Sequence, residues 1–534
     1  MESNAGALSL TRGQLDIWLA EETGRSGAKW HLGMLGRIEG IIEHGLLEQA
    51  VRQVINEAEP LRAVFSELNG QVFQTVVDYP DTELAHHDLT GSPDPVGDAY
   101  RIAGSIQKAP MPLDGPLFRF ALMQVRPDDF YFFVCCHHIV TDGIGMGLLC
   151  HRIAAVYSAI ATDAPVPAPI FGSLRSLVES ESDYEGSEDY LDDAAYWASC
   201  GPLDDELRYG TPPAAAARLA EYEPSAPIQL DPAVVAKARE LSHALGVRRA
   251  AVITAACALL VHGEVGGAEV VLDFPVSRRV RPEALLVPGM SSGVVPLRLT
   301  TSPYTSVADF CEHVATRIQE ALRHQRFPLR DIESKTGFQR GGWPSRHAAI
   351  NFIPTTRLAD FAGAEGSGTV THTGLVDQFG LVFIKNDDEL FLSTSGVGEL
   401  FSDCDARTLA DRFERVLSEM TADLQRQHSD TLDHQHLALS EIQHAVGHEQ
   451  LFDTLFVYQN YPVQTMASSM PDGLSITAVS GREYNHYPLT LQAMPGNELV
   501  LRVEFDTGLF GESRVRKAVE RFQRVLEAMT GEVR

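Results

Sequence analysis

Basic residues are scarce in this chain. There are 43 Lys+Arg against 72 Asp+Glu, a net charge of −29 in 534 residues. That balance argues against nucleic acid or an anionic membrane as the main partner. Cysteines are few as well: seven, with no CxxC spacing. An odd, scattered set suits a reducing compartment better than a disulfide framework, and no metal site is expected. Long apolar runs are missing too. The longest, Ala250 to Val261, falls short of the roughly 20 residues that cross a bilayer. The opening MESNAGALSL has neither a basic segment nor an apolar core of signal-peptide type. A cytoplasmic location is the expectation. An apolar fraction of 44% and a charged fraction of 22% are ordinary for a folded protein, and the length allows more than one domain. Two small basic stretches stand out against the acidic whole. SRRVRP (Ser277 to Pro282) is a candidate docking patch. The face bearing Arg514, Arg516, Lys517 and Arg521 reads as a solvated one.

One segment concentrates chemistry. Phe130 to Cys136 is an unbroken apolar run, the pattern of a fully buried strand. It ends in HHIVTDG: His137, His138, Ile139, Val140, Thr141, Asp142 and Gly143. A strand end fixes a side chain while the following loop exposes it, which suits catalytic groups. Neighbouring side chains on a strand point to opposite faces, so His137 and His138 cannot easily share one reactant or metal. One is expected to be structural and the other functional. Asp142 can orient a ring or pair with a cation. Gly143 permits a φ > 0 turn and brings backbone N–H groups near a ligand. Cys135 and Cys136 lie inside the strand and read as small apolar packing. AHHDL (Ala85 to Leu89) holds a second histidine pair without the glycine turn, and reads as surface.

HHIVTDG resembles the HHxxxDG signature of condensation domains of nonribosomal peptide synthetases. Other segments resemble the family's motifs in order: LTRGQLDIWLAEE (Leu10 to Glu22, with Gln14 and Trp18), EPLRAVF (Glu59 to Phe65), MPLDGPLFRFAL (Met111 to Leu122), DDAAYW (Asp192 to Trp197), DFPVSRR (Asp273 to Arg279) and GMSSGVVPLRL (Gly289 to Leu299). Two positions depart from the pattern. Ala58 stands where a histidine is usual, and Gly293 where an asparagine often is. The aspartates that replace the signature in cyclisation domains, and the glutamate-bearing motif of epimerisation domains, are not found.

The coarse reading alternates helices and strands. A break falls at Pro202 to Pro224, which holds charges, a Pro-Pro pair and a run of alanines. A repeat marks the C-terminus. HQRFPLRDIE (from His324) recurs as HQHLALSEIQ (from His434), ELFLSTSGVGELF (from Glu389) as ELVLRVEFDTGLF (from Glu498), and RFERVLSEM (from Arg412) as RFQRVLEAM (from Arg521). LFDTLFVYQNYP (Leu451 to Pro462) likewise corresponds to AAINFIPTTRL (Ala348 to Leu358). The unit is too long for a solenoid repeat. It reads as a duplicated end of the second half.

The resemblance implies an α/β (α+β, two-layer) fold: a pseudo-dimer of two chloramphenicol-acetyltransferase-like halves in a V shape. These would be residues 1–200, carrying HHIVTDG, and 201–430, followed by a duplicated partial subdomain at 431–534. It implies amide-bond formation, in which an amine attacks a carrier-bound acyl or aminoacyl thioester. His138 would act on the amine, as base or by positioning it, and Gly143 would lie near the reacting carbonyl. His137 would hold the loop, and Asp142 would pair with Arg279. No cofactor is expected to be bound. Substrates would ride on phosphopantetheine arms of carrier proteins acting in trans, with adenylation or synthetase modules as further partners. Two other readings stay open: an acyltransferase using free or CoA-linked substrates, and a non-catalytic docking module.

Overall fold

The computed structural model describes all residues except 1–5, 23–29, 80–81, 202–224, 303–304, 337–347, 354–359, 375–378, 387, 396–399, 402–403, 434–440, 442–453, 459–486, 495–498 and 531–534. The break expected at Pro202 to Pro224, and nearly all of the repeated HQHLALSEIQ, lie outside the described residues. The chain divides into two compact units, 1–427 and 428–534.

The first unit opens with β1 (Leu8–Ser9), α1 (Arg12–Ala20) and β2 (His31–Glu39). Next come α2 (His44–Glu57), β3 (Ala63–Leu68), β4 (Gln71–Val76), β5 (Leu84–Asp88) and α3 (Pro95–Lys108). Then follow β6 (Phe118–Arg126), β7 (Asp129–His137), α4 (Gly143–Ala161), α5 (Leu174–Glu185) and α6 (Glu188–Ser199). A five-stranded sheet runs in the order β12-β2-β7-β6-β5, its edge strand β12 (Glu365–Thr373) coming from later in the chain, and β1, β4 and β3 form a separate three-stranded sheet. All nine residues of β7 are buried, as its apolar run requires. One face of the sheet packs on α2 and α4 through residues such as Val51, Phe132 and Ile153. The other face meets α1 and α3 through Ile17, Leu35, Ala103 and Phe133. α4 alone has the length and apolarity to cross a membrane among the described residues; it is mostly buried in this core.

The chain continues through β8 (Ile228–Gln229), α7 (Pro232–Leu245), α8 (Arg249–Val265), β9 (Glu269–Val276) and β10 (Gly293–Thr300). It goes on through α9 (Val307–Arg323), α10 (Leu329–Thr336), β11 (Ala348–Ile353), β12 (Glu365–Thr373), β13 (Phe379–Asn386), β14 (Glu389–Ser395) and α11 (Ala406–Asp433). These build a six-stranded sheet, β10-β9-β11-β13-β14-β8. α8 is apolar on all sides because it is enclosed on all sides: Val252, Ala255, Cys257 and Val261 belong to one core with Leu272, Leu297, Val314, Leu381 and Phe413.

β12 departs from the simple two-half picture. It lies between β11 and β13 in sequence, yet pairs antiparallel with β2 at the edge of the first sheet, with a bulge between Val370 and His372. By Phe379 the chain is back in the second sheet. A residue range of 201–430 therefore lends one strand to the sheet of residues 1–200.

The second unit contains β15 (Thr454–Tyr458), β16 (Leu489–Met494), β17 (Val500–Phe505) and α12 (Glu512–Thr530). β15 runs parallel to β16, and β17 antiparallel. β11, β13 and β14 have the same relation. On α12, Arg514, Arg516, Lys517 and Arg521 are exposed, the solvated face expected.

Candidate active site

HHIVTDG occupies the turn from β7 into α4. His137 is the last residue of the strand and Asp142 the N-cap of the helix. Asp142 Oδ1 accepts a hydrogen bond from the Gly145 N–H at 2.9 Å, the usual N-cap geometry. Its Oδ2 accepts three more: from Arg279 Nη1 at 2.6 Å, the Ser291 N–H at 3.1 Å and the Ser292 N–H at 2.9 Å. Asp142 is 1% exposed and Arg279 6%. Arg279 also donates to the Gly289 carbonyl at 2.7 Å. The pairing of Asp142 with Arg279 is thus present. It joins two segments 137 residues apart, and the carboxylate is saturated. A saturated carboxylate is an anchor, not a proton acceptor for substrate.

The backbone approaches closely here too. A Cβ on Gly145 would collide with Thr141 Oγ1 and lie 2.8 Å from the Pro288 carbonyl oxygen. Gly145 is therefore the glycine this turn requires. Gly143 corrects an expectation: it is the first residue of α4, exposed, and not among the positive-φ glycines. From the other side Gln14, fully buried, donates to the Ile139 carbonyl at 3.1 Å and pairs with Gln74 at 2.9 Å.

The two histidines have separate surroundings. His137 is 2% exposed, with its ring 5.6 Å from that of His31. Its Nδ1 accepts from the Ile139 N–H at 3.2 Å, which assigns the proton to Nε2, 3.6 Å from Glu21 Oε1. His31 Nδ1 donates to the Gln107 carbonyl at 2.6 Å, and burial holds the His31 pKa below its ordinary value. His138 is half-buried, and its N–H donates to the Trp30 carbonyl at 2.6 Å. Its Nδ1 is buried and makes no well-formed hydrogen bond among the described residues, although backbone of His138 and Thr141 lies close enough to favour a proton on the ring. The Trp30 ring stands edge-on to it at 6.4 Å. Gly374, just past β12 with φ +89°, lies against the imidazole; a Cβ there would collide with Cδ2. Burial lowers the His138 pKa, and the charge of Asp142 opposes that only in part. The ring is neutral near pH 7, so it can accept a proton or a hydrogen bond.

Burial raises the Cys135 thiol to about 12 and pushes Cys136 well above its ordinary value, so neither supplies a thiolate. Of SRRVRP, Arg278 and Arg279 are both buried, which leaves only the half-buried Arg281 of the expected basic docking patch. Arg278, at φ +55°, turns its guanidinium toward the Gln325 and Phe327 carbonyls. A Cβ on Gly293 would collide with that guanidinium, which accounts for glycine there. Ala58 is fully buried in the core beneath α2. His86 is exposed on the edge strand β5, in line with a surface reading of AHHDL. No cluster of metal-binding side chains occurs among the described residues.

Sequence reasoning did not single out Trp30, His31, Gly145 or Gly374. His31 had a faint signal, a polar residue heading the apolar HLGMLG. Gly374 had none, since β12 reaches His138 only through tertiary pairing. Ser291 and Ser292 lay inside a quoted motif without a role.

The condensation-domain family matches residues 4–359 and 398–533, and the chain belongs to that family. A dimodular nonribosomal peptide synthase from Bacillus subtilis (strain 168) is 29% identical over 424 residues, 78% of this chain and 18% of that protein. Enterobactin synthase component F from Escherichia coli (strain K12) is 26% identical over 427 residues, 78% of this chain and 32% of that protein. The chain thus spans a third or less of the length of these relatives. The first condensation domain of the calcium-dependent antibiotic synthetase, in complex with substrate analogue 3a, matches with a TM-score of 0.69 and 28% identity over 78% of this chain and 96% of that one. A mutant of the starter condensation domain of rhizomide synthetase, in complex with C8-CoA, matches with a TM-score of 0.66 and 27% identity over 78% of this chain and 95% of that one. The α/β fold is that of the family, a chloramphenicol-acetyltransferase-like pseudo-dimer.

Proposed function

We propose that this condensation-family chain forms amide bonds in nonribosomal peptide synthesis. An amine attacks the thioester carbonyl of an acyl or aminoacyl group held on a carrier protein's phosphopantetheine arm. A C–N bond forms, the tetrahedral oxyanion collapses, the C–S bond breaks, and the proton lost by nitrogen ends on the departing thiol. The observation that carries this reading is His138: a half-buried, neutral imidazole at the end of a buried strand, beside a loop pinned by Asp142 and Arg279. His138 accepts the amine proton or holds the amine in line for attack. Gly143 lies next to that loop near the reacting carbonyl. His137, Asp142 and Arg279 keep the loop in shape. Carrier proteins in trans and adenylation or synthetase modules are the partners, in the cytoplasm. Residues 1–200 and 201–430 are the two halves of the enzyme, and 431–534 a duplicated end.

The test is a mass-spectrometric condensation assay with an acyl-loaded donor carrier offered either an amine-loaded acceptor carrier or the free amine. An amide on the acceptor arm, lost in His138→Ala, supports the proposal. A second reading, a CoA-linked acyl donor, is favoured by the C8-CoA complex of the similar starter domain. Product from acyl-CoA but not from the loaded carrier would select it. No product from either donor would leave a docking module.

A further inference from the structure

We infer that the indole N–H of Trp30 is a hydrogen-bond donor to the substrate, taking the carbonyl oxygen of the acyl group beside His138. This rests on the amide-forming reading above and adds a residue that the signature does not contain.

An indole nitrogen can only donate. Trp30 Nε1 is buried and has no hydrogen-bond partner among the described residues. Buried donors are nearly always paired, and an exception calls for a ligand, a water or a functional reason. The residue's position relative to His138 is set by main chain, since the Trp30 carbonyl accepts the His138 N–H at 2.6 Å. The two rings meet edge to face at 6.4 Å and 76°. An unfilled donor and a neutral imidazole thus sit on adjacent side chains. The reaction needs that combination: one group for the amine proton and one donor for the oxyanion. Several other donors around the loop are already committed. The N–H groups of Gly145, Ser291 and Ser292 all go to Asp142. Arg279 Nη1 and Nη2 go to Asp142 and the Gly289 carbonyl, while its buried Nε is without a partner among the described residues.

Trp30→Phe removes the N–H and keeps an aromatic ring. The chain has four tryptophans, so an indole ¹⁵N–¹H spectrum is simple, and the resonance missing in Trp30→Phe assigns the residue. Two measurements follow. On titration with an acyl-pantetheine thioester, the Trp30 indole proton is expected to move downfield. In the condensation assay, Trp30→Phe is expected to lose about 10-fold or more in kcat/KM, toward the range for losing one oxyanion donor, with an unchanged melting temperature. An indole resonance that stays put while other resonances report binding overturns the inference. So does a Trp30→Phe enzyme within about twofold of wild type in kcat/KM. His138→Ala separates the two levels. If wild type forms amide, His138→Ala does not and Trp30→Phe does, the inference fails and the proposed function stands. If wild type forms no amide, the proposed function fails, and the indole titration alone decides whether Trp30 donates to the thioester.

Discussion

The two copies of the repeated C-terminal segment have the same strand relations and opposite environments. In the first, β11 lies between β9 and β13, and Ile350, opposite Leu381, is fully buried. In the second, β15 has one neighbour among the described residues, and Phe456, opposite Leu491, is 58% exposed, as is Tyr458. A parallel-then-antiparallel strand trio is thus locally encoded, but a buried core is not. Burial comes from what surrounds the trio: β9, β10 and the helices α8 and α9 in the first unit. The same holds for chemistry. The first unit holds the signature and the segments that pin it, whereas the second has no HHxxxDG of its own.

The sharpest test of that contrast is His138→Ala. It should lower amide formation by about 10²–10⁴-fold, the usual weight of a general acid–base group, with circular dichroism unchanged. Turnover close to wild type would move the chemistry elsewhere. The pH profile gives the sign. The folded pKa of His138 lies below the ordinary 6.5, so activity should hold through neutral pH and fall only on acidification below 6.5. Stability follows the same direction. His31 and His138 both have depressed values, so the unfolded chain takes up protons first. The stability they contribute is present above 6.5 and is lost as the pH falls through their folded values. A rate or a melting temperature that rises toward pH 5 would contradict this.

Breaking the pin comes next. Asp142→Ala or Arg279→Ala should each cost about 3–5 kcal/mol, because either leaves a buried charge unpaired. Denaturant melts of the double variant should show a loss well below the sum. Simple additivity would mean that the two side chains do not act as a pair in solution.

The repeat itself can be probed at matched positions. Ile350→Ala should destabilise by about 2–5 kcal/mol, the range for emptying a core site. Phe456→Ala should stay within about 0.5 kcal/mol, as surface changes do. A large cost at Phe456 would reveal that the β15 edge is covered in solution. The smallest expected effect is that of removing the second copy. A chain ending at Asp433, which keeps α11 whole, should melt cooperatively and retain activity. Aggregation of that truncated chain would mean the first copy does not complete the enzyme.

Much of this organisation was legible in the residues. The apolar run ending in two histidines placed β7 and its loop, because a strand buried on both faces needs uninterrupted apolar side chains. The glycine was only partly legible. A glycine after Asp142 suggested a left-handed turn at Gly143. The close approach instead falls two residues later, where Thr141 and Pro288 crowd Gly145, and Pro288 is far away in sequence. Arg278 read as part of a surface patch because charge predicts exposure unless a partner is known, and its partners, the carbonyls of Gln325 and Phe327, are set by tertiary structure. For Arg279 the family resemblance had already named Asp142 as the partner. The crossing of β12 and the arrival of Gly374 at His138 carry no local pattern at all.

That crossing also limits motion. Gly374, directly after the end of β12 in one sheet, rests on the His138 imidazole, and Phe379 begins a central strand of the other. Five chain steps separate them, 379 − 374, and a chain spans at most about 3.3–3.6 Å per residue, so this leash is no longer than about 18 Å. Gly374 and Phe379 cannot part by more than that reach. Any separation of the two sheets beside His138 is therefore bounded by covalent reach rather than by packing alone.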